Sequence, residues 1–230
     1  MHITYIEGGF VEIINNGIVE KIVCEYGDGQ NGSCTVFFCN KSSKIINTRC
    51  SSYNLQYGIP LSFDSKKIFV GSWESGLYAY DIYTGDLVWR YRCGKIQDIF
   101  VREKYIIASR AHTAIVKIDV DTGEVLAEIK SGSLEKIFCL DDTCIFADTV
   151  SGKYCVVDTD RMIIAKKYPL SVVNPNKCLS LLIQSTVLKD NRITISGVED
   201  YPQRMYDFQK VSGGQQFSRI IDDKFVEELE

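Results

Sequence analysis

The chain has 230 residues, 45% of them apolar and 24% charged, which is enough for one substantial core or two small ones and is unlike a disordered tail. Its formal net charge of −4 is concentrated in residues 221–230, where five acids (Asp222, Asp223, Glu227, Glu228, Glu230) accompany one base (Lys224). The first 220 residues therefore sum to zero and offer no basic stripe to neutralise phosphates, which argues against nucleic acid as a partner.

No stretch approaches the roughly 20 apolar residues that would span a bilayer. The N-terminal run MHITYIEGGFVEI lacks a basic segment followed by an apolar one, so the expectation is a cytoplasmic protein with no membrane partner. Tyr and Phe number 13 and 11 against only 4 Pro, a mixture that favours strands. Nine cysteines, odd in number and scattered, predict free thiols serving as small core hydrophobes rather than a disulfide framework. One pair has a definite geometry. A two-residue turn at Asp141-Asp142 predicts Cys139 directly opposite Cys144, close enough for a strained disulfide, with two packed thiols as the reading for a reducing compartment.

From the N-terminus, Ile3–Ile6 reads as a strand that closes the fold by pairing with the last repeat. Thr35–Asn40 followed by Lys41–Asn47 reads as strand, turn and strand, with Asn40 at the turn. Three stronger segments follow. Ile68–Asp81, Ile106–Asp119 and Ile145–Asp158 align without gaps, each followed by a further apolar strand, so that a marker Asp recurs at 81, 119 and 158 in steps of 38 and 39 residues. Apolar runs at Ile99-Phe100-Val101 and Ile137-Phe138-Cys139 precede the second and third segments across tight polar turns. Each repeat thus reads as four strands, A to D. The Asp-x-x-Thr-Gly element at Asp81–Gly85 and Asp119–Gly123 joins strands C and D: the Asp side chain can cap backbone N–H groups, and Gly can take positive φ. Downstream, Leu181–Val187, a turn at Asp190-Asn191 and Ile193–Gly197 read as an A–B hairpin, completed by Met205-Tyr206-Asp207 and Gly213-Gly214. Ile221, Phe225 and Leu229 fall at helical spacing, so the last ten residues read as a short C-terminal helix or a tail.

Four-stranded sheets with two apolar faces cannot stand alone, and stacking them around an axis buries both faces. The predicted fold is therefore all-β, a single domain forming a small β-propeller of about five four-stranded blades. The clearest blades are 57–95, 96–132 and 133–171, the weaker ones 10–56 and 172–220, and the tail is 221–230. A β-sandwich or β-solenoid with the same strand count is the rival, and the period near 40 disfavours the solenoid. Small residues in strand B (Gly71, Ala108, Ala147) suit close approach of neighbouring backbones.

The run Gly71-Ser-Trp-Glu-Ser-Gly-Leu-Tyr-Ala-Tyr-Asp-Ile-Tyr-Thr-Gly-Asp-Leu-Val-Trp89 resembles the pyrroloquinoline-quinone-like propeller repeat. The second and third repeats match less closely, with Ala127 and Lys166 at the Trp89 position and Arg161-Met162 in place of Thr-Gly. The resemblance implies a propeller blade in which Trp89 wedges between adjacent blades, and it implies little about chemistry. Quinone-binding members of that superfamily are larger and exported and use an adjacent Cys-Cys pair, which this chain lacks, so no quinone or other cofactor is expected.

Catalytic sets are hard to assemble. The only histidines are His2 and His112, and a lone loop His is more often a surface residue than a catalyst. Cys34 and Cys39 lack the C-x2-C spacing of zinc knuckles, and in one strand they would face opposite sides. No EF-hand, phosphate-binding loop or nucleophile elbow occurs, so no metal is expected. What remains is a surface. The loops joining strands B to C and D to the next A carry Trp73, Glu74, Arg110, His112, Asp148, Asp200 and Tyr201, a set suited to a protein contact, with burial between blades as the alternative for Trp73.

The sequence therefore predicts a non-catalytic protein-binding propeller. Its concrete version is a bacterial immunity protein that blocks a cognate toxin, since an acidic inhibitor (pI about 5.4) would be steered to a basic toxin domain. A carbohydrate- or small-ligand-binding propeller is the alternative, but its per-blade loops (Trp73-Glu74-Ser75, Arg110-Ala111-His112, Thr149-Val150-Ser151) do not recur. An enzyme with its site in the channel mouth comes third.

Overall fold

The computed structural model describes residues 2–6, 9–25, 32–48, 61–72, 75–110, 113–130, 134–140, 143–148, 153–169, 181–189, 192–199 and 215–221. These form antiparallel strands and turns, with no helix among them. The chain divides into two compact units, Met1–Lys130 and Ser131–Glu230.

The first unit holds three consecutive sheets. The first has five strands in sequence order: β1 (His2–Ile6), β2 (Gly9–Ile13), β3 (Val19–Glu25), β4 (Gly32–Phe38) and β5 (Ser43–Thr48). The second contains β6 (Lys67–Ser72), β7 (Gly76–Asp81) and β8 (Leu87–Tyr91), and Leu61 forms an isolated antiparallel bridge to Ile68. The third is a complete four-stranded sheet of β9 (Ile96–Val101), β10 (Tyr105–Arg110), β11 (Ala114–Asp119) and β12 (Val125–Lys130).

The core of this unit explains why the sheets stack. In β6 and β7 successive side chains alternate between faces, and both faces are apolar. Ile68, Val70, Tyr78 and Tyr80 join Val19, Ile22, Cys24, Val36 and Ile46 in one buried cluster with the first sheet. Phe69, Leu77 and Ala79 join Ile96, Ile106, Ala108 and Val116 in a second cluster with the third sheet. The sheet β6–β8 is thus buried on both sides, each large side chain contributing about 1.5–3 kcal/mol of transfer free energy. Gly71 permits this approach, since a Cβ there would stand 2.8 Å from Ile96 Cγ2.

The second unit contains a four-stranded sheet, β13 (Leu134–Leu140), β14 (Thr143–Asp148), β15 (Lys153–Asp158) and β16 (Ile163–Pro169), and a three-stranded sheet, β17 (Leu181–Lys189), β18 (Arg192–Glu199) and β19 (Gln215–Ile221). Cys139 pairs directly with Cys144 in the register of β13 and β14, as the two-residue turn required.

Two expectations are corrected. Ile3–Ile6 lies in β1 and pairs with β2, residue 6 opposite residue 9, and so belongs to the first sheet rather than the last. Only two residues separate the partners, and closing so short a loop costs far less entropy than joining chain ends. The strand beside β18 is β19, with Ile193 opposite Ile221, so Met205-Tyr206-Asp207 does not fill that place. Residues 205–207 lie outside the described residues, as do residues 222–230, where the terminal helix or tail was expected.

Candidate functional site

Sheets of this kind have two ends where loops gather. In the third sheet, the β10–β11 loop lies at one end and the β9–β10 and β11–β12 turns at the other.

At the first end, Arg110 closes β10, opposite Ala114 and Ile96. Its Nε donates to Thr113 Oγ1 at 2.8 Å, and its Nη2 donates to Glu128 Oε1 at 2.9 Å, in a pair with about a quarter of each side chain exposed. Tyr91 also hydrogen-bonds Arg110, and burial leads the causes that raise the Tyr91 phenol above its ordinary value. Cys93 lies in the same group. Burial pushes its thiol up to about 11, against the opposing pull of Arg110, so at neutral pH it is a protonated, poor nucleophile. Arg110 is thereby committed to holding the strand ends of β8, β10 and β12 together.

The other predicted residues are not brought together around it. Asp148 ends β14, paired in register with Leu134 and Lys153. Trp73, Glu74, His112, Asp200 and Tyr201 lie outside the described residues. Among the described residues no three His, Cys, Asp or Glu side chains are placed to hold a metal ion.

The second end carries a feature that sequence reasoning missed. A cleft of about 460 Å³ opens where the β2–β3 turn, residues 61–63 and the end of β9 converge. Its floor is apolar, from Leu61, Ile99, Phe100 and Val101, and Glu12, Asn16 and Arg102 add polar atoms. A second cavity of about 320 Å³ adjoins it, sharing Ser62 and Phe63 and continuing along Asp64, Lys67, Glu103 and Asp121. Phe63 stands at the junction and is 67% exposed.

This junction is locally rigid. Ser62 Oγ donates to Asp64 Oδ1 at 2.6 Å and accepts from the Lys66 and Lys67 amides at 3.1 and 2.8 Å. Asn16 Nδ2 donates to Ser65 Oγ at 2.6 Å, while Asn16 Oδ1 accepts from the Val19 amide at 2.8 Å, tying two turns together. Burial works against the charge of Asp64, but the Ser62 hydroxyl, the Lys66 amide and the ammonium groups of Lys67 and Lys66 outweigh it and hold the carboxyl below its ordinary 3.8. Lys67, largely buried, reaches Asp121 at 2.6 Å. The available signal is an acid before strand B in four of the repeats, at Asp64, Glu103, Asp141-Asp142 and Asp190, each of which taken alone is ordinary turn chemistry.

No family model matches the chain, and no curated protein matches it by sequence. Among solved structures 506 chains match. One is the crystal structure of BamB from Moraxella catarrhalis, which is 13% identical with a TM-score of 0.56 over 84% of this chain and 71% of that one. At that identity the likeness carries the fold, and this all-β chain has a β-propeller fold.

Proposed function

We propose that this chain is a non-catalytic, protein-binding β-propeller. The observation that supports it is the exposed Phe63, set between two adjoining cavities with an apolar floor and charged walls. An exposed aromatic anchor beside a pocket and ringed by polar groups is the chemistry of a protein contact. The commitment of Arg110 to Glu128 and the protonated Cys93 fit a structural rather than a reactive role for the opposite end.

The finer form of the proposal is a cytoplasmic immunity protein whose acidic balance steers it to a basic toxin domain. Affinity capture of the tagged chain from its native host, followed by reconstitution with the purified partner, tests the general reading. A stoichiometric complex is expected, and failure of every captured protein to reconstitute sinks it. Co-expression with a toxin encoded beside this chain tests the finer form: rescue of growth is expected, and the absence of any such toxin gene ends the immunity reading alone.

A further inference from the structure

The two cavities share a wall, so a single extended segment can occupy both. Their described walls carry Glu12, Asp64, Glu103 and Asp121 against Lys67 and Arg102, which leaves a charge of −2 around an apolar floor. Lys66 stands just outside the wall, 3.6 Å from Asp64, and reduces the local charge to −1. Of the two bases, Lys67 is already bonded to Asp121 and is only 14% exposed, so it offers little to an incoming anion. Asp64 and Asp121 are each paired with a lysine, Lys66 and Lys67, but their side chains are 46% and 73% exposed and keep solvent-facing surface for an incoming cation.

We propose, resting on the protein-binding reading above, that this double cleft receives a partner segment in which an apolar side chain is flanked by Lys or Arg. The apolar side chain enters the larger cavity beside Leu61 and Phe100 and packs on the exposed Phe63 ring. The flanking cation lies over the smaller cavity and meets Asp64 and Asp121, and a guanidinium can also stack on Phe63. The acids set selectivity and association rate, and the apolar pocket supplies most of the affinity. An acidic segment of the same shape is refused, because it brings like charge to a wall that is already negative.

Two blocked peptides serve as probes on the full chain: Arg-Ala-Leu-Phe-Arg, and the same peptide with both Arg replaced by Glu. Amide chemical-shift mapping and fluorescence anisotropy read binding. The basic peptide is expected to bind saturably, with shifts centred on Leu61–Asp64, Ile99–Arg102 and Asp121, and the acidic peptide at least about tenfold more weakly, the equivalent of roughly 1.4 kcal/mol. Raising salt should narrow that gap. Phe63→Ser and Asp64→Lys should each weaken the basic peptide about five- to tenfold. Phe63 is exposed, so the fold should tolerate its change. Asp64 also accepts from the Ser62 hydroxyl and the Lys66 amide, so Asp64→Asn, which keeps an acceptor oxygen, accompanies Asp64→Lys and should weaken the basic peptide in the same direction. Ile45→Ser, at an exposed position on β5, is the control and should leave binding unchanged.

Equal binding of both peptides, shifts centred on the Arg110 end, indifference to Phe63→Ser, or no saturable binding would each overturn the proposal. The general reading fails separately. If the captured partner reconstitutes with both Phe63→Ser and Asp64→Lys, the chain binds protein but not through this cleft. If the peptides behave as expected and no partner reconstitutes, the cleft stands and the general reading falls.

Discussion

The turn from Asp119 to Gly123 and the turn from Asp158 to Met162 have the same backbone plan but different residues. In the first, Asp119 Oδ1 accepts the amides of Asp121 and Thr122 at 2.9 and 2.8 Å. In the second, Asp158 Oδ1 accepts the amides of Asp160 and Arg161 at 3.0 and 2.9 Å. Each turn places its fifth residue in the left-handed region, Gly123 at φ 75° and Met162 at φ 53°. The capping Asp and the flanking strand pairs thus fix the conformation even where the residue resists it. Glycine at 123 has a second reason. Trp89, from the adjacent sheet, lies on it: a Cβ at 123 would come within 2.6 Å of the indole, whose Nε1 donates to Val120 O at 3.1 Å. The contact between sheets, more than φ alone, demands the glycine. Gly85 differs, since the atom nearest a Cβ there is Cε of the flexible Lys44 side chain at 2.9 Å, which can move aside, so its φ of 79° is the stronger reason for glycine.

The largest effect is expected from Gly123→Ala. It adds left-handed strain and an overpacked contact, together about 2–5 kcal/mol of lost stability. Chemical denaturation would measure it. The double variant with Trp89→Ala should cost clearly less than the sum of the single changes, because removing the indole removes the clash. Additive losses would show that the backbone alone requires Gly123.

The sequence made one side of this legible and hid the other. The marker Asp, the Thr-Gly pair and the register of Cys139 on Cys144 are local, set by turn chemistry within a few residues, and they appear in the structure as read. The A–B hairpin of β17 and β18 is equally local. What failed was non-local. Ile3–Ile6 is an apolar strand suited to either partner, and only loop length decides for β2. Met205-Tyr206-Asp207 imitates the Tyr80-Asp81 end of a strand C, while the alternating Gln215–Ile221 takes that position. The cleft was invisible for the same reason. Glu12, Phe63 and Arg102 come from three separate segments and acquire meaning only when the segments lie side by side.

A smaller difference is expected between two variants at Met162. Its side chain is buried, only 8% exposed, so Met162→Ala should lose about 2–5 kcal/mol of packing. Met162→Gly loses the same packing but relieves the left-handed strain, and should be the more stable of the two by roughly 1 kcal/mol. Equal stabilities would mean that the turn stores no left-handed strain at Met162. At 123, by contrast, the advantage of glycine over alanine should shrink to the left-handed strain alone once the Trp89 indole is removed.

The smallest effect distinguishes the Asp caps by pH. The Thr122 amide is the leading cause that holds the Asp119 carboxyl below its ordinary 3.8, with the Asp121 amide, the Thr122 hydroxyl and Lys67 assisting against slight burial. A depressed folded pKa means that the carboxylate stabilises the fold fully above 3.8, and that this contribution is lost as pH falls through the lower folded value. Asp119→Asn keeps an acceptor oxygen but has no charge to titrate. The advantage of the wild-type chain over Asp119→Asn in thermal midpoint should therefore be constant from neutral pH down to about 4 and shrink below it. Because Asp119 is largely solvated, the difference is small and should weaken further with salt. An advantage that persists unchanged well below 3.8 would show that Asp119 acts through geometry alone, as an acceptor whose charge the turn does not use.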